Sequence, residues 1–279
     1  MTAHAQDARS RVDDDSFVSV DLPTSNANSS TTGSSASNNA TNESNDPTTP
    51  KRQLQVQNYF MPKPEGYGGR SVDEEFLRLY LPFKMLGIQN IFRVYQPLFV
   101  APVLPRGWDV GLGDTTVYDM ALHRIGGGTF GTGPLLIAPV ATHANLGHGK
   151  WEIGGAGIAV LTRNWGLLGT VVTYSHSFSG YGASRPADEQ VTVQPLIHYN
   201  LGAGWYLRSS GFWNLDYSTH VDAIPVGFGA GKVRRLRGGT VINLYLEPQY
   251  SVYQNGTGSP KWQLLSAITF QFPNSRRTE

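Results

Sequence analysis

Val191-Thr-Val-Gln-Pro-Leu-Ile-His-Tyr-Asn-Leu201 is the stretch on which the fold turns. Its odd positions carry Val191, Val193, Pro195, Ile197, Tyr199 and Leu201, while its even positions include Thr192, Gln194, His198 and Asn200. Successive side chains of a β-strand point to opposite sides of the sheet, so this alternation separates an apolar face from a polar one. The period returns from Val241 to Tyr253, where Ile242, Leu244, Leu246, Tyr250 and Val252 oppose Asn243, Glu247, Gln249 and Ser251. It returns again near the C-terminus, with Trp262, Leu264, Ile268, Phe270 and Phe272 against Lys261, Gln263, Thr269 and Gln271. Further upstream, Leu77, Leu79, Leu81 and Phe83 oppose Glu74, Arg78 and Tyr80.

Weaker alternation occupies 92–101, 114–124, 129–141, 150–162, 165–178, 205–217 and 225–236, each bounded by Gly, Asn, Asp or Pro. With a first strand at 54–60, the total is about twelve. No sustained helical spacing of apolar residues survives without a Gly or Pro breaking it. The expected fold is therefore all-β. We read residues 54–273 as an antiparallel transmembrane β-barrel of about twelve strands, with a disordered N-terminal segment (1–53) and a C-terminal tail (274–279).

The choice of a membrane barrel over a soluble sandwich rests on three features. The strands run to about ten residues, enough to cross a hydrocarbon layer when tilted, whereas sandwich strands are commonly shorter. Trp108, Trp151, Trp165, Trp205 and Trp262 each open a strand, and Phe270 and Phe272 close one, as interfacial aromatic girdles require. The polar face carries charges of both signs, which a wet lumen tolerates and a dry core does not. Composition agrees: charged residues make up only 15% of the 279 residues, against roughly 25% in soluble domains. The longest uncharged stretches, 125–149 and 164–184, are broken by Gly, Asn, His and Ser, so neither reads as a transmembrane helix.

From Thr24 to Pro50 the chain is almost entirely Ser, Thr, Asn, Gly and Ala, too polar to offset its ordering entropy by apolar burial. The Asn-x-Ser/Thr triplets at Asn28, Asn39 and Asn42 follow from that composition alone. Ala3-His4-Ala5 has the small-x-small form of a signal-peptidase site, so residues 1–5 read as a signal-peptide remnant. The absence of cysteine excludes disulfides, thiolate catalysis and Cys-ligated metal. A net charge of +1 offers no general attraction for nucleic acid.

Four motifs invite chemistry. Gly126-Gly-Gly-Thr-Phe-Gly131 fits G-x-G-x-x-G, but the strand-like Pro134-Leu-Leu-Ile-Ala-Pro139 follows where a nucleotide site needs a helix. His143 and His148 share a glycine-rich loop that contains no carboxylate, which favours loop histidines over metal ligands. Ser175 and His176 are adjacent on one strand and must face opposite ways, so they cannot pair as nucleophile and base. Lys232-Val-Arg-Arg-Leu-Arg237 reads as a solvated turn, or as a basic patch for lipopolysaccharide phosphates. No catalytic residue, cofactor site or metal site is expected.

Over roughly residues 74–273 the chain resembles a family of Gram-negative outer-membrane proteins usually labelled "transporter" or, misleadingly, "neuromedin U", related to the barrels named for the MetA pathway of phenol degradation. The matching residues are Gly111-Leu-Gly-Asp114, Gly131-Thr-Gly-Pro134 with Ala138-Pro139, Leu146-Gly-His-Gly-Lys-Trp151 and Ser175-His-Ser-Phe-Ser-Gly180. Gln194-Pro195, Tyr199-Asn-Leu201, Gly204-Trp-Tyr-Leu207, Pro225-Val-Gly227, Gly229-Ala-Gly-Lys232 and Phe270-Gln-Phe-Pro273 continue the set. Asp216-Tyr217 stands where Asp-Trp is expected, and Glu247-Pro248-Gln249 is variant. The resemblance implies an outer-membrane barrel of about twelve strands that passes hydrophobic or aromatic compounds, surrounded by lipid and lipopolysaccharide.

The expected function is thus a channel for small solutes in the outer membrane of a Gram-negative bacterium. Candidate lumen-lining residues are Arg78, Arg93, Asp119, His198, Arg208, Asp216, Glu247 and Lys261. The first alternative is a plugged structural or interaction barrel, since Tyr80, Tyr206, Phe212 and Tyr245 fall on the same inner face. The second is a lipid-modifying enzyme, which would need a Ser/His/acid set converging on the outer face.

Overall fold

The computed structural model describes residues 37–180 and 187–273; the signal-peptide remnant at 1–5 and the tail at 274–279 lie outside them. A short helix, α1, spans 37–45. Strands follow in order: β1 (Gln53–Met61), β2 (Val72–Met85), β3 (Ile88–Pro102), β4 (Trp108–Leu112), β5 (Thr115–Ile125) and β6 (Gly128–Ala138). Then come β7 (Lys150–Arg163), β8 (Gly166–Gly180), β9 (Glu189–Gly202), β10 (Trp205–Ser209) and β11 (Trp213–Asp216). The chain ends with β12 (Asp222–Gly227), β13 (Gly229–Arg235), β14 (Val241–Asn255) and β15 (Trp262–Gln271).

Every strand pairs antiparallel with its neighbours, and β1 meets β15 from Gln53↔Gln271 to Phe60↔Leu264, so the sheet closes on itself. Three pairs, β4/β5, β10/β11 and β12/β13, are each one barrel strand with a local break, which makes a closed barrel of twelve strands. Closure matters physically because an open edge in lipid would leave a row of unsatisfied amides and carbonyls.

Side chains sort as the alternation requires along the best-patterned strands. In β9, Thr192, His198 and Asn200 are buried inward while Ile197, Tyr199 and Leu201 are exposed. Outward rings form two girdles. Trp108, Trp151, Phe178, Tyr253 and Trp262 lie toward one rim, and Phe83, Phe130, Trp165, Trp205 and Phe272 toward the other. Exposed aliphatic side chains such as Leu77, Val172, Leu246 and Leu264 fill the band between them, the arrangement that a bilayer selects.

The two rims differ. At one, β2–β3, β5–β6, β7–β8, β9–β10 and β13–β14 join through short turns. Gly126 and Gly127 form one of these with φ of 59° and 80°, a left-handed pair that only glycine adopts freely. The G-x-G-x-x-G motif is therefore a hairpin turn. At the other rim the connections are mostly longer, as in 62–71 and 139–149.

Residues 37–53 depart from the expected disordered segment: α1 and the turn after it pack inside the barrel at the short-turn rim. The inner face also departs from expectation in β5 to β9. There Tyr118, Met120, Leu122, Leu135, Ile158, Val160, Leu167, Val171 and Leu196 pack together as an apolar cluster within the lumen. β5 to β8 carry apolar residues on both faces, which is why their alternation is weak in sequence, whereas β9 adds only Leu196 from an otherwise polar inner face.

One close approach gives a direct check on this packing. A Cβ at Gly133 would lie 1.7 Å from the Asp119 carbonyl oxygen, whereas one at Gly155 would meet nothing nearer than 3.8 Å. Gly133→Ala is expected to reduce the fraction that refolds to the heat-modifiable form on a gel, and Gly155→Ala to leave it unchanged.

Candidate functional site in the barrel lumen

The lumen is organised in three layers, beginning with the N-terminal segment at the short-turn rim. The Asn42 amide donates to the Arg163 carbonyl at 2.7 Å and accepts from Asn200 at 2.7 Å. Asn243 donates to Asn45 Oδ1 at 2.9 Å, Gln271 to the Glu43 carbonyl at 3.3 Å, and Arg93 to the Pro47 carbonyl. The partners come from β3, β7, β9, β14 and β15, so the segment is tied around most of the circumference. Asp46 ends the helix by accepting from the Thr48 amide at 2.7 Å and the Thr48 hydroxyl at 2.6 Å, and Pro47 cannot continue it. A helix whose one apolar residue is Ala40 is ordered here because the wall supplies polar partners in place of an apolar surface.

Above α1 lies a layer of guanidinium groups and phenol rings. The Arg93 guanidinium donates to Tyr95 and Tyr118 hydroxyls at 3.2 Å each, and Tyr118 donates to Tyr95 at 2.6 Å. Arg78 stacks over Tyr95 at 4.5 Å and Phe76 at 4.7 Å. Neither Arg78 nor Arg93 makes a salt bridge among the described residues. Across the lumen, Arg208 pairs with Glu247 at 2.7 Å, and Glu247 also accepts from the Ser210 amide at 2.8 Å and Gln249 at 2.9 Å. The Arg208 guanidinium sits 3.4 Å from the Tyr245 ring centre. A polar cavity of about 70 Å³ separates this layer from α1.

The third layer is a vestibule of about 350 Å³ that reaches the long-loop rim. Its walls include Met61, Phe76, Pro97, Ile137 and Phe212, its floor is Arg78, Tyr95 and Tyr118, and Glu74 stands on its side. The sides thus mix these apolar groups with polar ones such as Thr173, Gln190, Thr192 and Gln263, and the base holds a cation with no salt bridge among the described residues.

Of the residues expected to line the lumen, Arg78, Arg93, His198, Arg208 and Glu247 lie buried on the inner face. His198 sits edge-on to Tyr206 at 5.6 Å, and neither of its ring nitrogens has a hydrogen-bond partner among the described residues. Three others are corrected. Asp119 lies between the inward Tyr118 and Met120 and so points to the outer face. Asp216 is consumed by a turn, accepting from the Ser218 amide at 2.9 Å and the Thr219 amide at 2.8 Å. Lys261 precedes β15 at the rim, its ammonium 4.6 Å from the centre of the outward Tyr250 ring.

The remaining motifs resolve as follows. Ser175 and Ser177 are buried inward and His176 is exposed, as the strand period demands. Lys232 donates to the Ala203 carbonyl at 2.6 Å and covers Trp205, while Arg234 and Arg235 are exposed at the rim. His148, but not His143, meets two carboxylates that its own loop lacks, Glu152 and Asp188. Burial opposes charge on this ring, but those two carboxylates prevail and push its pKa up to about 10. Sequence reasoning missed Glu74, α1 and this trio. Glu74 was legible, since it shares a face with Arg78, whereas the trio joins the 139–149 loop, β7 and the connection after β8.

The Arg208–Glu247 pair gives a stability test. Glu247→Leu alone leaves a buried guanidinium unpaired and is expected to cost about 3–5 kcal/mol in urea unfolding, whereas Arg208→Met with Glu247→Leu costs much less.

No family model matches the chain, and no curated protein matches it in sequence. Among solved structures it is similar to the crystal structure of an outer membrane channel from Pseudomonas putida F1. The TM-score is 0.59 at 14% identity, and the match covers 80% of this chain and 96% of that one. The likeness is one of fold, which in this chain is a closed antiparallel barrel of twelve strands.

Proposed function

We propose that this chain is an outer-membrane channel for small solutes, held closed by its own N-terminal segment. The observation that carries the reading is the lumen, where an open vestibule at one rim is followed by a hydrogen-bonded plug at the other. In bacterial barrels the short turns face the periplasm and the longer loops the exterior. On that orientation the vestibule receives solute from outside, beside the lipopolysaccharide leaflet, and α1 guards the periplasmic exit.

The vestibule favours a solute with a hydrophobic or aromatic body and an anionic end. Apolar walls take up the body, and the Arg78 Nε–H, which has no partner among the described residues, awaits an acceptor. The similarity to an outer membrane channel supports passage in general and says nothing about the solute.

A permanently plugged barrel is the competing reading, favoured by the five plug contacts described above. Because the chain has no cysteine, the two are separable with one engineered pair. Asn45→Cys with Asn243→Cys, oxidised, is expected to abolish planar-bilayer conductance, and reduction to restore it. Absence of conductance in the reduced and the unmodified protein alike would favour the structural barrel. In a conducting protein, Arg78→Gln is expected to shift the reversal potential toward cation preference.

A further inference from the structure

The trio of His148, Glu152 and Asp188 lies at the long-loop rim, away from the plug and the guanidinium layer. One ligand atom from each residue lies within 4.8 Å of the others, a spacing that a single ion can bridge after small side-chain adjustment. His148 Nδ1 is 3.1 Å from Glu152 Oε1 and in direct contact with Asp188 Oδ2.

Each donor is delivered by backbone that is itself held. The Asp114 carboxylate accepts the amides of Ala141 at 3.1 Å and His148 at 2.7 Å, fixing the 139–149 loop. Asp188 is clamped to β8 from both sides: its amide donates to Ser177 Oγ at 2.8 Å, and its carbonyl accepts from the Ser177 amide at 2.8 Å. Glu152 is fully buried in β7 and accepts from Gln190 at 3.5 Å.

The Asp188 carboxylate is the decisive group. The residue is 4% exposed, yet apart from the contact with His148 neither of its oxygens accepts a hydrogen bond among the described residues. A buried carboxylate normally satisfies several acceptor positions. Here that capacity is aimed at a second buried carboxylate and an imidazole, and two like charges so close are relieved by a shared proton, by the imidazolium or by a metal ion between them.

We propose that His148, Glu152 and Asp188 bind one divalent first-row transition-metal ion, with Zn²⁺ the best fit. One imidazole and two carboxylates suit zinc and its neighbours, whereas Ca²⁺ and Mg²⁺ prefer sites built wholly of oxygen. Three protein ligands leave a further position for water on the half-exposed His148 side. The ion ties the 139–149 loop to the start of β9. Gln190 links it to the vestibule, since that side chain both donates to Glu152 and lines the cavity. The assignment is independent of whether the barrel conducts.

The test uses the untagged full-length chain, refolded in detergent after chelator treatment and titrated with ZnCl₂ by calorimetry and with CoCl₂ by visible absorption. One ion per chain is expected, with the absorption of four- or five-coordinate Co²⁺. His148→Ala and Asp188→Asn should each weaken binding by about tenfold or more, while His143→Ala leaves it unchanged. Heat-modifiable mobility confirms that each variant is folded. Absence of binding to the unmodified protein, or equal binding by folded His148→Ala, would overturn the assignment and leave a histidine–carboxylate ion pair.

Discussion

The backbone must satisfy its own hydrogen bonds where no water reaches it, and the rest of the structure follows from that requirement. The pairing of β1 with β15 meets it by leaving no edge. Once the sheet is closed, the period of two divides every strand between lipid and lumen. The outer face can then be predominantly apolar. The inner face is shielded from lipid and becomes the one place where Arg78, Arg93, Arg208 and Glu247 can be held.

Shielding from lipid creates a second requirement, because polar groups inside a narrow barrel still need partners. The lumen meets it in two ways. In the β10–β15 part of the wall, side chains satisfy one another, as Arg208 does with Glu247 and Ser210. At the short-turn rim the wall meets a segment from outside the sheet, and the side-chain amides of Asn200, Asn243 and Gln271 donate to α1. The Ser/Asn/Thr composition that denies this segment an apolar core of its own is what makes it complementary to the wall.

This explains which features could be read from the sequence. The strands and both girdles were legible because they depend on local alternation and on rings at strand ends. Asp119 was misassigned because β5 is apolar on both faces, so its lone carboxylate gave no guide to which face was inner. The plug was illegible for a different reason. Its partners lie far along the chain, with Asn45 and Asn243 separated by 198 positions, and only closure of the barrel brings them together. The His148 trio has the same origin: its third member, Asp188, enters from the connection after β8, which no local pattern announces.

The energetics of the plug bear on whether it can move. Each hydrogen bond that ties it to the wall contributes a net of about 0.5–1.5 kcal/mol. The conformational entropy of the ordered segment opposes them. No large apolar surface tips the balance, because α1 contains one alanine and no larger hydrophobic residue. A plug held by polar contacts can exchange them for water when it leaves, whereas a plug held by apolar burial could not.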